Sequence, residues 1–291
     1  MNNALVQAYS DCRLCPRNCG VNRNLGELGY CKENSQLRIS SADLHFGEEP
    51  PITGKGGSGT IFITGCNLGC LFCQNWDISI SGKGRIISEK ELTETFLRLQ
   101  RAGAENINLV TPTHATPVLI NGLIAARKKG LSIPALWNSS AYENAETLSM
   151  FEGSIDIWLP DLKTLDSSIS DKYFNAPDYP EAAEKAVLYM LDNSELRYNS
   201  KGALLSGVVI RHLALPGHMD ASRKVLQWFA KHARNRALLS LLTQYTPNHR
   251  VYSKNCPGRY ISREESADLL RWVKELKIEN GFFQGRNLKL I

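Results

Sequence analysis

From residue 60 onward the spacing of apolar positions switches repeatedly between two periods. Short aliphatic or β-branched runs fall at 60–64, 106–110, 134–137, 155–159, 207–213 and 238–242, and each reads as a strand. Between them the apolar residues recur at helical spacing. Ser88 and Glu91 predict a capping box ahead of Leu92, Phe96 and Leu99, which share one face. Asp220 is placed to cap a helix carrying Val225 and Phe229. Ser262 and Glu265 predict a second capping box before Leu269, Val273 and Leu276. Strands alternating with helices are the pattern of βα units around a parallel sheet. Six such units are present without an internal repeat, and the segment 52–291 is shorter than the roughly 250 residues of an eightfold barrel. The expected fold class is therefore α/β, a partial (β/α)6 TIM-like barrel.

Residues 1–51 follow neither period. They carry turn signals at Cys15-Pro16, Asn18-Cys19-Gly20 and Leu28-Gly29-Tyr30, as a small segment stapled by a metal would. The expected division is a cysteine-rich metal-binding segment at 1–51 and a barrel core at 52–291.

Composition narrows the class of partner. A chain of 291 residues, 43% of them hydrophobic, can bury a sizeable core. Its 34 Lys and Arg against 29 Asp and Glu leave +5, spread without long runs, so neither a nucleic acid nor a membrane surface is an expected partner. The start of the chain has no basic or long apolar stretch, and no later run approaches the eighteen or so apolar residues of a membrane span. A cytoplasmic protein is expected. Eight cysteines in such a chain point to metal or redox chemistry rather than disulfides, and seven of them cluster, at 12, 15, 19 and 31 and at 66, 70 and 73.

The second group stands directly after the first of the six strands, in Gly65-Cys66-Asn67-Leu68-Gly69-Cys70-Leu71-Phe72-Cys73-Gln74-Asn75-Trp76. Three soft thiolates suit three irons of a [4Fe-4S] cluster and leave the fourth open to a ligand. The competing reading is zinc completed by a remote fourth ligand, and the lack of a paired Cys-x2-Cys or His nearby counts against it. This C-x3-C-x2-C pattern, with an aromatic before its last cysteine, resembles the radical S-adenosylmethionine (SAM) superfamily. The resemblance implies an open iron that chelates the amino and carboxylate groups of SAM, cleavage of a C–S bond to a 5′-deoxyadenosyl radical, and a partial (β/α)6 barrel. Cys73-Gln74-Asn75-Trp76 is similar to the pyruvate formate-lyase activating enzymes and their less-characterised homologues, a likeness covering nearly the whole chain. It implies that Phe72 and Asn75 lie beside SAM, Phe72 near the adenine; plain packing of the Phe72 ring is the alternative.

In barrels of this type functional side chains stand at the carboxyl ends of strands. The polar residues there are Thr111-Pro112-Thr113-His114, Asn138-Ser139-Ser140, Asp161-Leu162-Lys163 and Gln244-Tyr245. By resemblance Asp161 and Lys163 form an Asp-x-Lys motif for the amino, carboxylate or ribose groups of SAM, and Arg211 matches an arginine near it. Asn138 and Gln244 join them as candidate SAM contacts. An ion pair at the surface is the bland reading of Asp161 and Lys163, and a buried structural role that of Arg211. The chain departs from the activating enzymes in two places. Their histidine after the sixth strand is replaced by Gln244-Tyr245-Thr246-Pro247, with His249 four residues beyond Tyr245. Their Gly-Gly-Glu-like segment is replaced by 111–114, where His114 reads as structural.

Cys12, Cys15, Cys19 and Cys31 supply four thiolates, enough for one tetrahedral zinc or one auxiliary iron–sulfur cluster, and spacing leaves both open. Cys256 reads as a small apolar residue, with ligation as the alternative. Gly54-Lys55-Gly56-Gly57-Ser58-Gly59 matches G-x-G-x-x-G but precedes a strand instead of following one, so it is rejected as a nucleotide loop. The expected activity is a radical SAM reaction. A [4Fe-4S] cluster and SAM serve as cofactors, a flavodoxin- or ferredoxin-like protein as electron donor, and a protein, peptide or small molecule as substrate, a glycyl radical being one possible product. The rival class is a zinc-stabilised, non-catalytic binding or regulatory module.

Overall fold

The computed structural model describes residues 7–151, 153–247 and 256–290; His249 lies outside them. The strands are β1 (Arg38–His45), β2 (Ser58–Ile63), β3 (Arg85–Ile86), β4 (Ile107–Val110), β5 (Ala135–Ser139), β6 (Ile157–Pro160), β7 (Arg197–Tyr198), β8 (Leu204–Leu213), β9 (Ala237–Leu242), β10 (Gly281–Phe283) and β11 (Arg286–Asn287). They form one sheet in the order β11-β10-β9-β8-β6-β5-β4-β2-β1-β3, with β7 paired to β8. Every pairing from β2 through β4, β5, β6, β8 and β9 to β10 is parallel, while β1 joins β2 antiparallel. The fold is the open, mostly parallel α/β sheet of a partial TIM-like barrel.

Alternate residues of each strand enter different layers, as the two-residue strand period requires. Trp137, Trp158, Val208, Ile210, Leu239 and Leu241 pack with Leu92, Phe96, Leu123, Val187, Phe229 and Leu269 from the helices. Leu136, Ile157, Leu159, Val209 and Leu238 face the other way and form a smaller cluster with Ile52 and Phe282. Burial on both faces explains why the strands read as continuous apolar runs. On that second face the same parity continues, toward the carboxyl ends, into Asn138, Asp161, Arg211 and Ser240.

All six expected strands form. The fourth of the parallel set ends at Pro160, and the fifth starts at Leu204, before the expected 207, where β7 pairs with its extension, Arg197 opposite Ser206 and Tyr198 opposite Leu204. Both capping boxes close, on the helices Glu89–Arg101 and Arg263–Glu275. Asp220 does not cap. The helix Met219–His232 starts two residues earlier, with His218 at its N-cap, so Asp220 lies inside the first turn, where its charge faces the positive helix end. In the rejected glycine stretch, Glu105 Oε1 accepts from the amides of Lys55 and Gly56, both at 3.1 Å. Among the described residues no helix is long and apolar enough to cross a membrane.

Candidate active site

Gly65, with φ +80, turns the chain out of β2 and into the cysteine loop, and Gly69, with φ +70, turns it again. Between them the loop is held by groups from elsewhere. Arg17 Nε donates to the Asn67 carbonyl at 2.9 Å and its Nη2 to the Leu68 carbonyl at 3.1 Å. The same guanidinium reaches the carbonyls of Phe174 and Asn175 and stacks 3.7 Å over the Tyr30 ring. The Leu71 amide donates to the Tyr173 carbonyl, and Asn67 Nδ2 to that of Tyr142.

Cys70 is buried, Cys66 and Cys73 partly so, and Cys73 Sγ lies 3.2 Å from Ser79 Oγ. Burial pushes the Cys70 and Cys66 thiols up, with Lys163 pulling both back toward ionisation. Three soft donors on one loop, with a cation in electrostatic reach of two of them, fit a cluster that leaves one corner open. Among the described residues no three Cys, His, Asp or Glu side chains converge on one point as a single ion needs. A tetrahedral zinc at about 2.3 Å would require thiols roughly 3.8 Å apart, whereas a cube spreads its ligands over separate irons.

Lys163 connects the cysteine loop to the strand ends. Its Nζ lies 2.8 Å from Asp161 Oδ2, and Arg211 Nε donates to Asp161 Oδ1 at 2.9 Å. Arg211 also pairs with Glu48 Oε2 at 3.2 Å and bonds Asn138 Oδ1, while Asn108 Nδ2 holds the other Glu48 oxygen at 2.9 Å. Burial opposes ionisation of Asp161, but Lys163 and Arg211 outweigh it and hold the carboxyl below its ordinary range. Burial likewise raises Glu48, against the pull of Arg211. The Tyr179 hydroxyl sits 2.8 Å from the Asp161 carbonyl and 3.0 Å from that of Ser140, and accepts from the Lys163 amide at 2.9 Å. Asn138, Asp161, Lys163 and Arg211, from the ends of the neighbouring strands β5, β6 and β8, are thus one polar network. The surface ion-pair reading of Asp161 and Lys163 does not hold, since their side chains are only 30% and 17% exposed.

The remaining candidates spread around this centre. Phe72 is buried in edge-on contact with Tyr173, Phe174 and Tyr245, ring centroids 5.7–5.9 Å away. Gln244 is exposed, and its carbonyl accepts from Gln74 Nε2 at 3.3 Å. Asn75 is exposed at the start of the short helix Trp76–Ser79. A cleft of about 170 Å³ lies against the network, lined by Glu48, Arg211, Ser240, Leu242 and Gln244. A larger one, about 520 Å³, opens at the opposite ends of the strands by Leu238 and Gly281, away from all the cysteines. His114 is buried with Nε2 2.7 Å from the Thr64 carbonyl, and burial brings its pKa down to about 3, so it is a neutral structural group. Cys256 packs partly buried against the main core. Glu48, Arg17 and Tyr179 escaped the sequence reading. Only Arg17 had a signal, its place between two clustered cysteines.

The sequence model described as the Radical SAM superfamily matches residues 60–229. An uncharacterised protein of Methanocaldococcus jannaschii is 27% identical over 279 residues, covering 93% of this chain and 76% of its own. Among solved structures, SuiB of Streptococcus suis bound to its precursor peptide SuiA superposes with a TM-score of 0.54 at 15% identity, over 75% of this chain and 46% of SuiB. SuiB bound to SAM gives 0.51. A radical SAM methyltransferase of Sphaerobacter thermophilus gives 0.51 at 13% identity, over 78% of this chain and 66% of that one. The chain spans less than half the length of SuiB, so what these likenesses share is the barrel. With the family match running from β2 through the helix after β8, over more than half of the sequence, the chain belongs to the radical SAM superfamily.

Proposed function

We propose that Cys66, Cys70 and Cys73 hold a [4Fe-4S] cluster and that SAM binds between it and the strand ends carrying Asn138, Asp161, Lys163, Arg211 and Gln244. The observation that carries this reading is the charged network at the strand ends, in which Asp161 holds Lys163 at 2.8 Å and Arg211 at 2.9 Å. A cluster held by these three thiols would supply one-electron reduction of SAM, and with it the radical chemistry that takes a hydrogen atom from the substrate.

The side chains of this chain bind and orient. Lys163 and Arg211 offer donors to a carboxylate, and Asp161 offers an acceptor to an ammonium or a ribose hydroxyl. Asp161 ties all three together, Tyr179 holds the backbone of Asp161 and Lys163, and Glu48 holds Arg211, so a ligand meets groups in place rather than groups it must order. Phe72 and Asn75 flank SAM, and the aromatic cluster of Phe72, Tyr173, Phe174 and Tyr245 keeps that side dry. For the substrate we favour a polypeptide, in the glycyl-radical case a glycine of a partner protein in the cytoplasm. Support comes from Cys73-Gln74-Asn75-Trp76, similar to the activating enzymes, and from SuiB, a neighbour crystallised with a precursor peptide. A flavodoxin- or ferredoxin-like protein supplies the electron.

The test is anaerobic reconstitution with iron and sulfide, reduction in the presence of SAM, and chromatography for 5′-deoxyadenosine. Formation is expected, and its abolition by Cys66→Ala, Cys70→Ala or Cys73→Ala, each of which removes a ligand. A colourless protein containing zinc and no iron would end the reading in favour of a non-catalytic module.

A further inference from the structure

The largest group of nucleophilic side chains that the proposed reaction does not use is at the start of the described chain. Cys12, Cys15 and Cys31 are buried and Cys19 partly so. The sulfurs of Cys19 and Cys31 lie 3.5 and 3.6 Å from the point where a Gly29 Cβ would stand, so the absent side chain leaves room between them. Cys12 and Cys31 lie within electrostatic reach of Cys15, and Cys12 and Cys19 within reach of Cys31.

A second observation concerns Arg23, which is 1% exposed. Its guanidinium stands 3.9 Å from Cys12 Sγ, bonds the carbonyls of His114 and Asn34, and stacks on Tyr9, while its Nε has no hydrogen-bond partner. Among the described residues no carboxylate pairs with it. A buried cation without a counter-ion is strongly unfavourable. Four thiolates around a metal centre of lower positive charge carry net negative charge, and would supply the missing counter-ion.

We propose that Cys12, Cys15, Cys19 and Cys31 hold a second iron–sulfur cluster, a four-iron cube with a thiolate at every corner. Zinc would need at least three of these sulfurs drawn together, and among the described residues no such group exists. The same is true of Cys66, Cys70 and Cys73; that comparison, though not the Arg23 argument, rests on the reading proposed for the triad. Having no open iron, the second cluster binds no substrate. It closes the segment that carries Arg17, whose guanidinium holds the carbonyls of Asn67 and Leu68 in the first cluster loop. The two sites abut: the Cys31 carbonyl oxygen lies 2.7 Å from where a Gly65 Cβ would stand.

The full chain, reconstituted anaerobically with ferrous iron and sulfide, is analysed for iron, sulfide and zinc beside two variants, Cys66→Ala/Cys70→Ala/Cys73→Ala and Cys12→Ala/Cys19→Ala. Expected are about eight irons in the parent and about four in each variant, with SAM changing the electron paramagnetic resonance spectrum of the second variant and not of the first. Iron absent from the triad variant, or zinc in its place, overturns the proposal. So does an iron content unchanged by Cys12→Ala/Cys19→Ala, a comparison that decides even if the triad variant does not fold. If instead the triad reading is the one at fault, the triad variant keeps its iron and Cys12→Ala/Cys19→Ala holds none.

Discussion

Asp161→Asn separates the structural from the functional share of the polar network. The substitution keeps the shape and removes the charge that faces Lys163 at 2.8 Å and Arg211 at 2.9 Å. Arg211 retains Glu48 at 3.2 Å as well as Asn138, so Lys163, 17% exposed, is the cation left without its carboxylate. Breaking a fully buried pair costs about 3–5 kcal/mol and breaking an exposed one less than about 1 kcal/mol. This pair is partly screened, and a loss of about 2 kcal/mol at neutral pH is expected. In anaerobic urea unfolding of the metal-free chain, followed by tryptophan fluorescence, that loss lowers the midpoint by roughly 0.7 M for a slope near 3 kcal/mol/M. The pH dependence has a definite sign. The Asp161 carboxyl is held below its ordinary range in the folded chain, so its contribution is complete above the unfolded value of about 3.9 and fades as pH falls through the lower folded value. The gap between parent and variant is therefore flat from neutral pH down to mild acid and closes in stronger acid. Lys163→Met in the Asp161→Asn background removes the stranded charge and should restore more than half of the midpoint shift, yet 5′-deoxyadenosine should form in neither variant. An Asp161→Asn midpoint equal to the parent's, or a double variant less stable than the single one, refutes the reasoning.

Three further outcomes follow from the same contacts. Arg17→Ala frees four backbone carbonyls around the cysteine loop, at a cost of about 3 kcal/mol, and should shorten the lifetime of the reconstituted cluster against a chelator several-fold; an unchanged decay of its visible absorbance contradicts this. Gly65→Ala places a Cβ 2.6 Å from Glu33 Cγ and 2.7 Å from the Cys31 carbonyl at a φ of +80, and is expected to lower stability by more than about 2 kcal/mol, read as a fall in thermal midpoint. Ser88→Ala opens one capping box at a cost of about 1 kcal/mol while leaving SAM cleavage at the parental rate, since Ser88 touches neither the cysteine loop nor the network.

What could be read from the sequence was what repeats with a period. The strand runs, the two capping boxes and the parity that sends Asn138, Asp161 and Arg211 to one face follow from local rules, and the structure realises them. What escaped depends on contacts far apart in the chain. Glu48 stands between β1 and a four-residue helix, and nothing local marks it as the partner of Arg211, 163 residues away. β1 itself alternates intermediate and exposed positions with one buried, too weak a hydrophobic signal to be read as a strand in a cysteine-rich segment. Asp220 failed as a cap because cap position depends on where the preceding turn ends, and Gly217 with His218 ends it two residues early. Phe72 was balanced between packing and cofactor contact, and its three aromatic neighbours show packing on one side while leaving contact with SAM as part of the proposal.

A barrel that does not close has two free edges, and unpaired strand edges are where one chain can recruit another into a growing sheet. Here both edges are made unattractive in the same way. β3 at one side and β11 at the other are each two residues long, antiparallel to their neighbour, exposed and headed by an arginine, Arg85 and Arg286. Neither two-residue strand offers a run of donors and acceptors long enough to template another, and beyond Ile39, where β3 no longer covers β1, Arg98 occupies the Ala42 carbonyl. The gap that an unclosed barrel leaves is thereby kept from becoming a route to aggregation.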